Sequence, residues 1–347
     1  MKIKATTYTT IRRHMTHMCC MMCCIILSTL TACQEDDQFG NACEVKVRLF
    51  AKEHVEVTRA EGIYQPLSGT GLSDATAGLY VAMNDQQNLY SLTWNGTTLG
   101  TNIYLEKDIY TLYAYMPQRE GTKLTNANAT DNTNASLTFT NIPGIGSEDI
   151  MVSQAADITV GSTEQTVALK MDHLLARITL QFTINAEYNN LRTIKIRKVD
   201  FSLPETNPIK TYSSTITYGT DRPTVWNAPS SQSTEQATTY NIYSGEQNNG
   251  RQILSTDPTT LGVCYVVPIQ SIEGLQMRVT YDVLDKAGVV TRPNEVVTNK
   301  VIIKQNSTAV NKLTAGNNYK LNIQVIPTYL YVLSDNDQGS VLVIPNN

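Results

Sequence analysis

Only four histidines occur among the 347 residues of this sequence. His14 and His17 belong to an N-terminal targeting segment, which leaves His54 and His173 far apart in the chain. No Ser/His/Asp order with a nucleophile elbow and no His/Cys cluster with zinc spacing occurs. His173 has apolar neighbours in MDHLLARI, which is more typical of a hydrogen-bonded structural histidine than of a catalytic base. The sequence therefore predicts no enzyme, no metal site and no cofactor.

Positive charge is also sparse in the body of the chain. The formal net charge is −4, from 27 Lys and Arg against 31 Asp and Glu. No basic cluster of the nucleic-acid-binding type follows the N-terminal segment, so nucleic acid is excluded as a partner. Long runs of Ala, Leu, Glu and Lys are scarce, whereas Thr, Asn and Val are frequent and there are 18 Tyr. This composition favours strands over helices.

The seven cysteines do not have the spacing of a disulfide framework or a metal site. Four of them lie in the block CCMMCC at residues 19–24, inside an apolar targeting segment. Cys43 and Cys264 stand alone, and the apolar stretch GVCYVVP favours a buried thiol at Cys264. The sequence does not decide whether these two cysteines form a disulfide. Cys33, at the end of the apolar segment, has a different explanation.

The N-terminal region has the order of basic, apolar and small residues that is typical of a secretory signal. Four basic residues precede an apolar stretch at residues 18–32, which is shorter than the roughly 20 residues that a membrane-spanning helix needs. LTAC at residues 30–33 resembles a bacterial lipobox, which implies cleavage before Cys33 and diacylation of its thiol. The alternative is an ordinary signal peptide with an incidental cysteine.

An acidic run, QEDD at residues 34–37, follows the predicted anchor. It resembles the export signals of surface lipoproteins in some gut and oral anaerobes, and a solvated tether explains it equally well. Removal of residues 1–32 removes four basic groups and no acid, so the charge becomes 23 − 31 = −8. That charge suits an exported soluble body.

The body of the chain is dominated by alternating apolar and polar residues. Val45, Val47 and Leu49 alternate with Lys and Arg, and residues 176–184 and 319–325 show the same period of two. The strands follow one another at short intervals, joined by polar turns such as the one expected at residues 95–96, and without helical crossovers. This pattern favours an all-β fold with two antiparallel β-sandwich domains.

Four stretches together resemble the fimbrillin-like family, which builds type V pili. They are the lipobox ending at Cys33, EDIMVSQ at residues 148–154, LKMDHLLARITLQF at residues 169–182, and LTAGNNYKLNIQV with YLYVLSD near the C-terminus. Their order and spacing carry the resemblance, which spans most of the mature chain. It implies two sandwich domains of transthyretin-like topology, a lipid anchor in the outer membrane and a place in a surface fimbria.

The resemblance also implies a mechanism of assembly. An arginine-specific protease cuts near the N-terminus, the first strand leaves its sheet, and the exposed groove accepts a C-terminal strand of the next subunit. Arg59 and Ala60 form the candidate cleavage site, unless Arg59 is an ordinary surface arginine. Val45, Val47 and Leu49 form the candidate removable strand.

The candidate donor tail contains Tyr329, Tyr331 and Leu333, followed by Val341 and Val343. Main-chain hydrogen bonds would give such a tail its affinity, and alternate side chains would fill pockets. About four aliphatic side chains at ~1.5–3 kcal/mol each would contribute roughly 6–12 kcal/mol before ordering costs. The alternative is a native C-terminal strand in the subunit's own sheet.

These interpretations divide the chain into four units. They are a lipoprotein signal peptide at 1–32, a tether with the removable strand at 33–59, an N-terminal sandwich at 60–165, and a C-terminal sandwich with the tail at 166–347. The predicted function is a structural fimbrial subunit whose partners are other subunits, the protease and the outer membrane. The alternative is a surface lipoprotein adhesin that binds a glycan or host ligand without polymerising.

Overall fold

The structure is a computed structural model in which nearly all regular elements are strands, and this confirms the all-β prediction. It describes residues 42–56, 63–68, 72–84, 86–127, 135–202, 211–218, 223–226, 230–231, 239–245, 252–305, 308–327 and 340–343. The strands up to residue 173 are β1 (Ala42–Ala51), β2 (Val55–Glu56), β3 (Gln65–Pro66), β4 (Thr76–Met83), β5 (Gln86–Trp94), β6 (Leu99–Glu106), β7 (Ile109–Met116), β8 (Lys123–Thr125), β9 (Ser136–Pro143), β10 (Ile145–Gly146), β11 (Met151–Ser153), β12 (Ala156–Thr159) and β13 (Gln165–His173).

The described residues of the second half of the chain add one short helix and the remaining strands. The helix is α1 (Ala186–Leu191), and Asn185 caps it because its side chain accepts a hydrogen bond from the backbone N–H of Tyr188. The strands are β14 (Ala176–Ile184), β15 (Thr193–Ser202), β16 (Thr211–Tyr218), β17 (Pro223–Trp226), β18 (Ser230–Ser231), β19 (Tyr240–Ser244), β20 (Gln252–Ile253), β21 (Thr259–Val266), β22 (Gln276–Leu284), β23 (Val290–Lys300), β24 (Lys304–Gln305), β25 (Thr308–Ala309), β26 (Asn317–Pro327) and β27 (Ser340–Val343).

The first sheet has nine strands in the order β11-β13-β1-β6-β5-β4-β7-β12, with β3 beside β1. Because β11 pairs with both β13 and β7, the strands from β11 through β1 to β7 form a closed ring of hydrogen-bonded neighbours. Most pairs are antiparallel, as expected, but β1 and β13 run parallel. The sandwich arrangement and the transthyretin-like topology stay predictions.

Two sheets built mostly from the second half of the chain share one core. The first has the order β10-β21-β14-β26-β2 with β27 beside β26, and the second has the order β19-β15-β22-β23 with β20 beside β15. β14 and β26 are parallel, and their alternating apolar side chains are buried in the same cluster. The alternation in residues 176–184 and 319–325 therefore identified two core strands correctly.

A further five-stranded sheet joins distant parts of the chain. Its order is β17-β16-β9-β8 with β18 beside β16, so residues 136–143 pair with residues 211–218. A tyrosine-rich cluster that includes Tyr113, Tyr115 and Tyr218 packs against this sheet. β13 begins at Gln165, so a domain boundary at 165/166 would separate β1 from its parallel neighbour. The domain boundaries stay predictions.

Local details follow from the residues at the turns and in the core. Gly96 has φ +92, and the Asn95 carboxamide oxygen accepts hydrogen bonds from the backbone N–H groups of Thr97 and Thr98 at 3.0 and 2.8 Å. This confirms the expected turn between β5 and β6. Cys43 and Cys264 are both buried and free, so they form no disulfide. No helix within the described ranges has the length and hydropathy of a membrane span.

Candidate functional site

β1, the candidate removable strand, lies between two strands of the first sheet. Its residues 42–48 pair antiparallel with β6, and its residues 45–51 pair parallel with β13. Both edges of β1 are therefore hydrogen-bonded along much of its length. Removal of β1 would leave β6 and β13 with unpaired backbone groups facing each other across a gap.

The side chains of β1 alternate between the core and the surface. Val45, Val47 and Leu49 are fully buried, and they share a core cluster with Ile103 of β6 and Leu169 of β13. The expected period of two is therefore confirmed. At ~1.5–3 kcal/mol each, burial of these three side chains stabilises the folded chain by roughly 5–9 kcal/mol. This stabilisation is lost if β1 leaves and the groove stays empty.

The polar face of β1 is anchored at the surface. Lys46 forms an ion pair with Glu164. Arg48 donates hydrogen bonds from its guanidinium to the backbone oxygens of Val47, at 2.8 Å, and Thr101, at 3.2 Å. These contacts are solvent-exposed or partly so, and they add little to the buried face of the strand.

Shortly after β1, the chain joins the sheet that contains β14 and β26. Residues 52–54 connect β1 to β2, and Val55 and Glu56 pair parallel with Asn317 and Asn318 of β26. Residues 42–56 therefore contact two different sheets. Arg59 and Ala60 lie outside the described residues, and so does Cys33.

β26 also pairs with the C-terminal strand. Val341 and Val343 of β27 pair antiparallel with Ile326 and Gln324 in the same chain, which is the arrangement of a native C-terminal strand. Because β14 pairs with residues 318–325 along one edge of β26, both β2 and β27 must occupy the other edge. The remaining candidate tail residues, Tyr329, Tyr331 and Leu333, lie outside the described ranges.

A partly buried polar junction lies behind the connection from β1 to β2. His173, the last residue of β13, has Nε2 2.6 Å from the backbone oxygen of Lys52 and Nδ1 2.7 Å from Oδ2 of Asp149. The rings of His54 and His173 are in contact, with centroids 3.7 Å apart and ring planes tilted by 35°. His54 Nδ1 lies 3.9 Å from the same Asp149 oxygen. The junction thus joins Lys52 and His54 to residues far along the chain.

The two histidines of the junction differ in charge. Burial, helped by the charges of His173 and Arg177, lowers the pKa of His54 to about 3, so its imidazole is neutral. Burial also opposes charge on His173, but its hydrogen bond to Asp149 and the charge of that carboxylate raise the His173 pKa above 6.5. Both ring nitrogens of His173 face acceptors, which fits the protonated form.

The sequence did not reveal this junction. His173 is hydrogen-bonded, as the sequence predicts, but its partners Lys52 and Asp149 are distant in the sequence. The available signal was that Asp149 and His173 lie in the two motifs EDIMVSQ and MDHLLARI, which carried the family resemblance. Motif positions alone do not show which side chains meet.

Comparison with known proteins places the chain in a family. A sequence profile of the fimbrillin-like family matches residues 57–341. The match covers most of the chain, and the protein belongs to the fimbrillin-like family. Membership supports a surface fimbrial or adhesive role. No curated protein matches at a significant level.

Solved structures from Bacteroides resemble the chain over most of its length. A candidate cell adhesion protein from Bacteroides ovatus ATCC 8483 is 13% identical, with 88% of this chain and 96% of that chain covered and a TM-score of 0.49. A candidate cell adhesion protein from Bacteroides uniformis ATCC 8492 is 16% identical, with 86% of this chain and 96% of that chain covered and a TM-score of 0.44. A fimbrial protein from Bacteroides vulgatus ATCC 8482 is 14% identical, with 80% of this chain and 94% of that chain covered and a TM-score of 0.43.

Proposed function

We propose that the protein is a structural subunit of a surface fimbria, assembled by proteolytic release of its first strand and strand exchange. The observation that carries this proposal is the position of β1, which lies between β6 and β13 with its alternate side chains buried. Arg59 follows the end of β2 by three residues. One cut there would separate β1 and β2 from the rest of the chain.

Delivery to the surface precedes the cut in this proposal. The signal peptide at residues 1–32 is removed, Cys33 carries the lipid, and residues 34–37 form an acidic tether at the outer membrane. The lipid holds the precursor where an arginine-specific protease reaches it. Cleavage after Arg59 then leaves Cys33 on the released piece, so the anchor serves delivery and is lost on assembly.

Cleavage changes the thermodynamics of the first strand. Before the cut, β1 and β2 are held at high effective concentration because they belong to the same chain as their neighbours. After the cut, the lipidated segment and the rest of the subunit are separate molecules, and once they dissociate the segment cannot readily return. The groove between β6 and β13, with Ile103 and Leu169 among its apolar residues, then needs another strand to cover it.

The C-terminal tail is the proposed donor. β27 has four residues and pairs with four residues of β26, whereas β1 is ten residues long and is paired on both edges. A tail that leaves the edge of β26 and takes the position of β1 in another subunit gains backbone hydrogen bonds on both edges and buries one face. Val341 and Val343, with Tyr329, Tyr331 and Leu333 before them, supply the alternating side chains.

Protease treatment of the purified mature chain tests this function. An arginine-specific protease should produce a chain that begins at Ala60, identified by N-terminal sequencing, and ladders of polymer should follow in denaturing gels. The variant Arg59→Ala should stay intact and monomeric under the same treatment, whereas Arg48→Ala should be cut and should polymerise. A wild-type chain that is cut after Arg59 and remains monomeric would contradict strand exchange.

The pairing of β27 within its own chain favours a second candidate function. A subunit that keeps its C-terminal strand in place is complete without a neighbour. Such a protein would serve as a surface lipoprotein adhesin that binds a glycan or host ligand through its loops. Binding of the uncut monomer on a glycan array, together with failure to polymerise, would support this function over the first.

A further inference from the structure

Three groups that commonly bind metals meet at the junction behind β1. His54, Asp149 and His173 each offer one ligand atom, and these atoms all lie within 4.8 Å of one another. Imidazole nitrogens and a carboxylate oxygen are the donor types that Zn²⁺ and related ions prefer. We propose that this cluster binds a divalent transition metal such as Zn²⁺, and that the metal fastens the first-strand segment to the body of the subunit.

Unpartnered polar atoms in the cluster point to a missing ligand. His54 Nε2 and Asp149 Oδ1 are buried and have no hydrogen-bond partner among the described residues. The His54 side chain is only 3% exposed, so water does not readily satisfy it. Buried polar atoms in proteins are nearly always partnered, and an unpartnered pair at one place needs an explanation. A metal bound through both oxygens of the Asp149 carboxylate would give Oδ1 its missing partner, and His54 would bind it through Nδ1, the nitrogen that faces the carboxylate.

The distances in the cluster suit a small ion. Zn–N and Zn–O bonds of about 2.0–2.1 Å in a tetrahedral arrangement require ligand atoms about 3.3 Å apart. The observed separations to Asp149 Oδ2 are 2.7 Å from His173 Nδ1 and 3.9 Å from His54 Nδ1. Side-chain shifts of well under 1 Å bring both to the required value. Three protein ligands leave a fourth position for water.

His173 also has the outer contact that a metal-binding histidine usually makes. Its second ring nitrogen, Nε2, donates to the backbone oxygen of Lys52 at 2.6 Å. Ligating histidines commonly donate their other N–H to a carbonyl or carboxylate, which orients the ring. That bond leaves Nδ1 of His173 directed at Asp149. On binding, the metal replaces the proton between Nδ1 and Oδ2, and this proton passes to solvent.

The charges around the cluster set the expected strength of binding. The Asp149 and Asp172 carboxylates both act on His173 and favour a cation, whereas the Arg177 guanidinium acts on His54 and opposes one. With one ligating carboxylate and one opposing cation, the site should bind Zn²⁺ more weakly than a structural zinc site with thiolate ligands.

The ligands come from both sides of the proposed cut. His54 precedes Arg59, while Asp149 and His173 follow it. A bound metal would therefore hold the first-strand segment in place after the backbone is cut. This consequence rests on the proposed function, whereas binding of the metal to the intact chain does not.

Calorimetric titration of the intact mature chain with Zn²⁺ tests the site directly. The chain carries Cys33→Ser, because a free thiol would itself bind Zn²⁺. We expect one equivalent of Zn²⁺ to bind, with affinity lowered about tenfold or more in His54→Gln and in Asp149→Asn. The matched control Asp172→Asn, a neighbouring carboxylate outside the proposed ligands, should change affinity much less. Absence of Zn²⁺ binding, or equal binding by His54→Gln, would overturn the proposal.

A second readout uses the unmutated site. Co²⁺ bound by nitrogen and oxygen ligands in a tetrahedral site gives intense visible absorption, and Zn²⁺ should displace it. Melting curves of each variant in the presence of a chelator show whether it folds, so that loss of binding is not mistaken for loss of structure. A Co²⁺ spectrum identical to that of the hydrated ion would count against the site.

Release of the cut segment tests the consequence. The chain is first cut, the protease is inhibited, and either Zn²⁺ or a chelator is then added while peptide release is followed by size exclusion. Zn²⁺ should slow release about tenfold in the chain with intact ligands and have no effect in His54→Gln. Equal release rates with and without Zn²⁺ would overturn the fastening role. Failure of the protease to cut at Arg59 would contradict the proposed function and leave the titration result standing.

Discussion

The backbone oxygen of Lys52 accepts a hydrogen bond from Nε2 of His173 over 2.6 Å. Lys52 directly follows β1, and His173 ends the parallel neighbour β13. The contact therefore joins the ends of two strands whose backbones already pair over residues 45–51 and 165–171. Any process that withdraws β1 must break this partly buried bond together with the strand pairing.

Truncation of a buried side chain in β1 should weaken the precursor. Leu49→Ala is expected to lower the free energy of unfolding by about 2–4 kcal/mol, because Leu49 is fully buried and a cavity replaces its side chain. Lys46→Ala on the same strand should change it by less than about 1 kcal/mol, since its ion pair is exposed. Urea unfolding measures both, and equal effects would show that β1 is not packed as described.

Gly78 should tolerate no side chain. A Cβ at Gly78 would lie 2.3 Å from the ring of Tyr115, which is itself fully buried. Gly78→Ala is therefore expected to destabilise the protein by about 1–3 kcal/mol through overpacking. Gly161→Ala is the matched control, because nothing lies within 4 Å of the position that a Cβ would take there. Thermal unfolding of the two variants should separate them, and a stable Gly78→Ala would contradict this packing.

Deletion of the C-terminal tail should separate donor and acceptor roles. A chain that ends at Pro327 lacks β27 and the preceding candidate donor residues. After cleavage it should accept a strand from a full-length subunit but donate none, so its addition should shorten the polymer ladder. Val341→Asp should also shorten the polymer ladder, whereas Ser340→Ala should leave the ladder unchanged. Ladders that form from the truncated chain alone would exclude the tail as donor.

Lipid attachment should depend on one cysteine. Cys33→Ser is expected to abolish incorporation of labelled palmitate and to move the protein from the membrane fraction to the soluble fraction. Cys43→Ser should retain the label, because Cys43 is buried within β1. Mass spectrometry of the N-terminal peptide identifies the modified residue. Absence of label from the wild-type protein would assign the N-terminal region to an ordinary signal peptide, and label retained in Cys33→Ser would place the lipid on another residue.

Period-two alternation was enough to predict the buried faces of β1 and β26. Val45, Val47 and Leu49 are buried as their spacing indicated, and so are Leu321 and Ile323. Alternation specifies which side chains face the core, because successive residues of a strand point to opposite sides. It also allowed the class of fold to be recognised as all-β.

The neighbours of each strand could not be predicted in the same way. Nothing in residues 45–51 indicates that their parallel partner is 165–171, a stretch whose sequence is also compatible with a helical turn. The pairing of residues 136–143 with 211–218 was equally hidden. Strand pairing between distant segments depends on the packing of the whole chain. The junction of His54, Asp149 and His173 is a product of that packing and was missed for the same reason.

The parallel partner of β1 has a consequence for the timing of assembly. While β1 is covalently attached, the facing edges of β6 and β13 are occupied, and a tail from another copy meets no open position there. Raising the concentration of the precursor during export would therefore not start growth of a fibre. Under the proposed mechanism, the rate of polymer formation is set by an extracellular cut, and the cell can store subunits safely until they reach the surface.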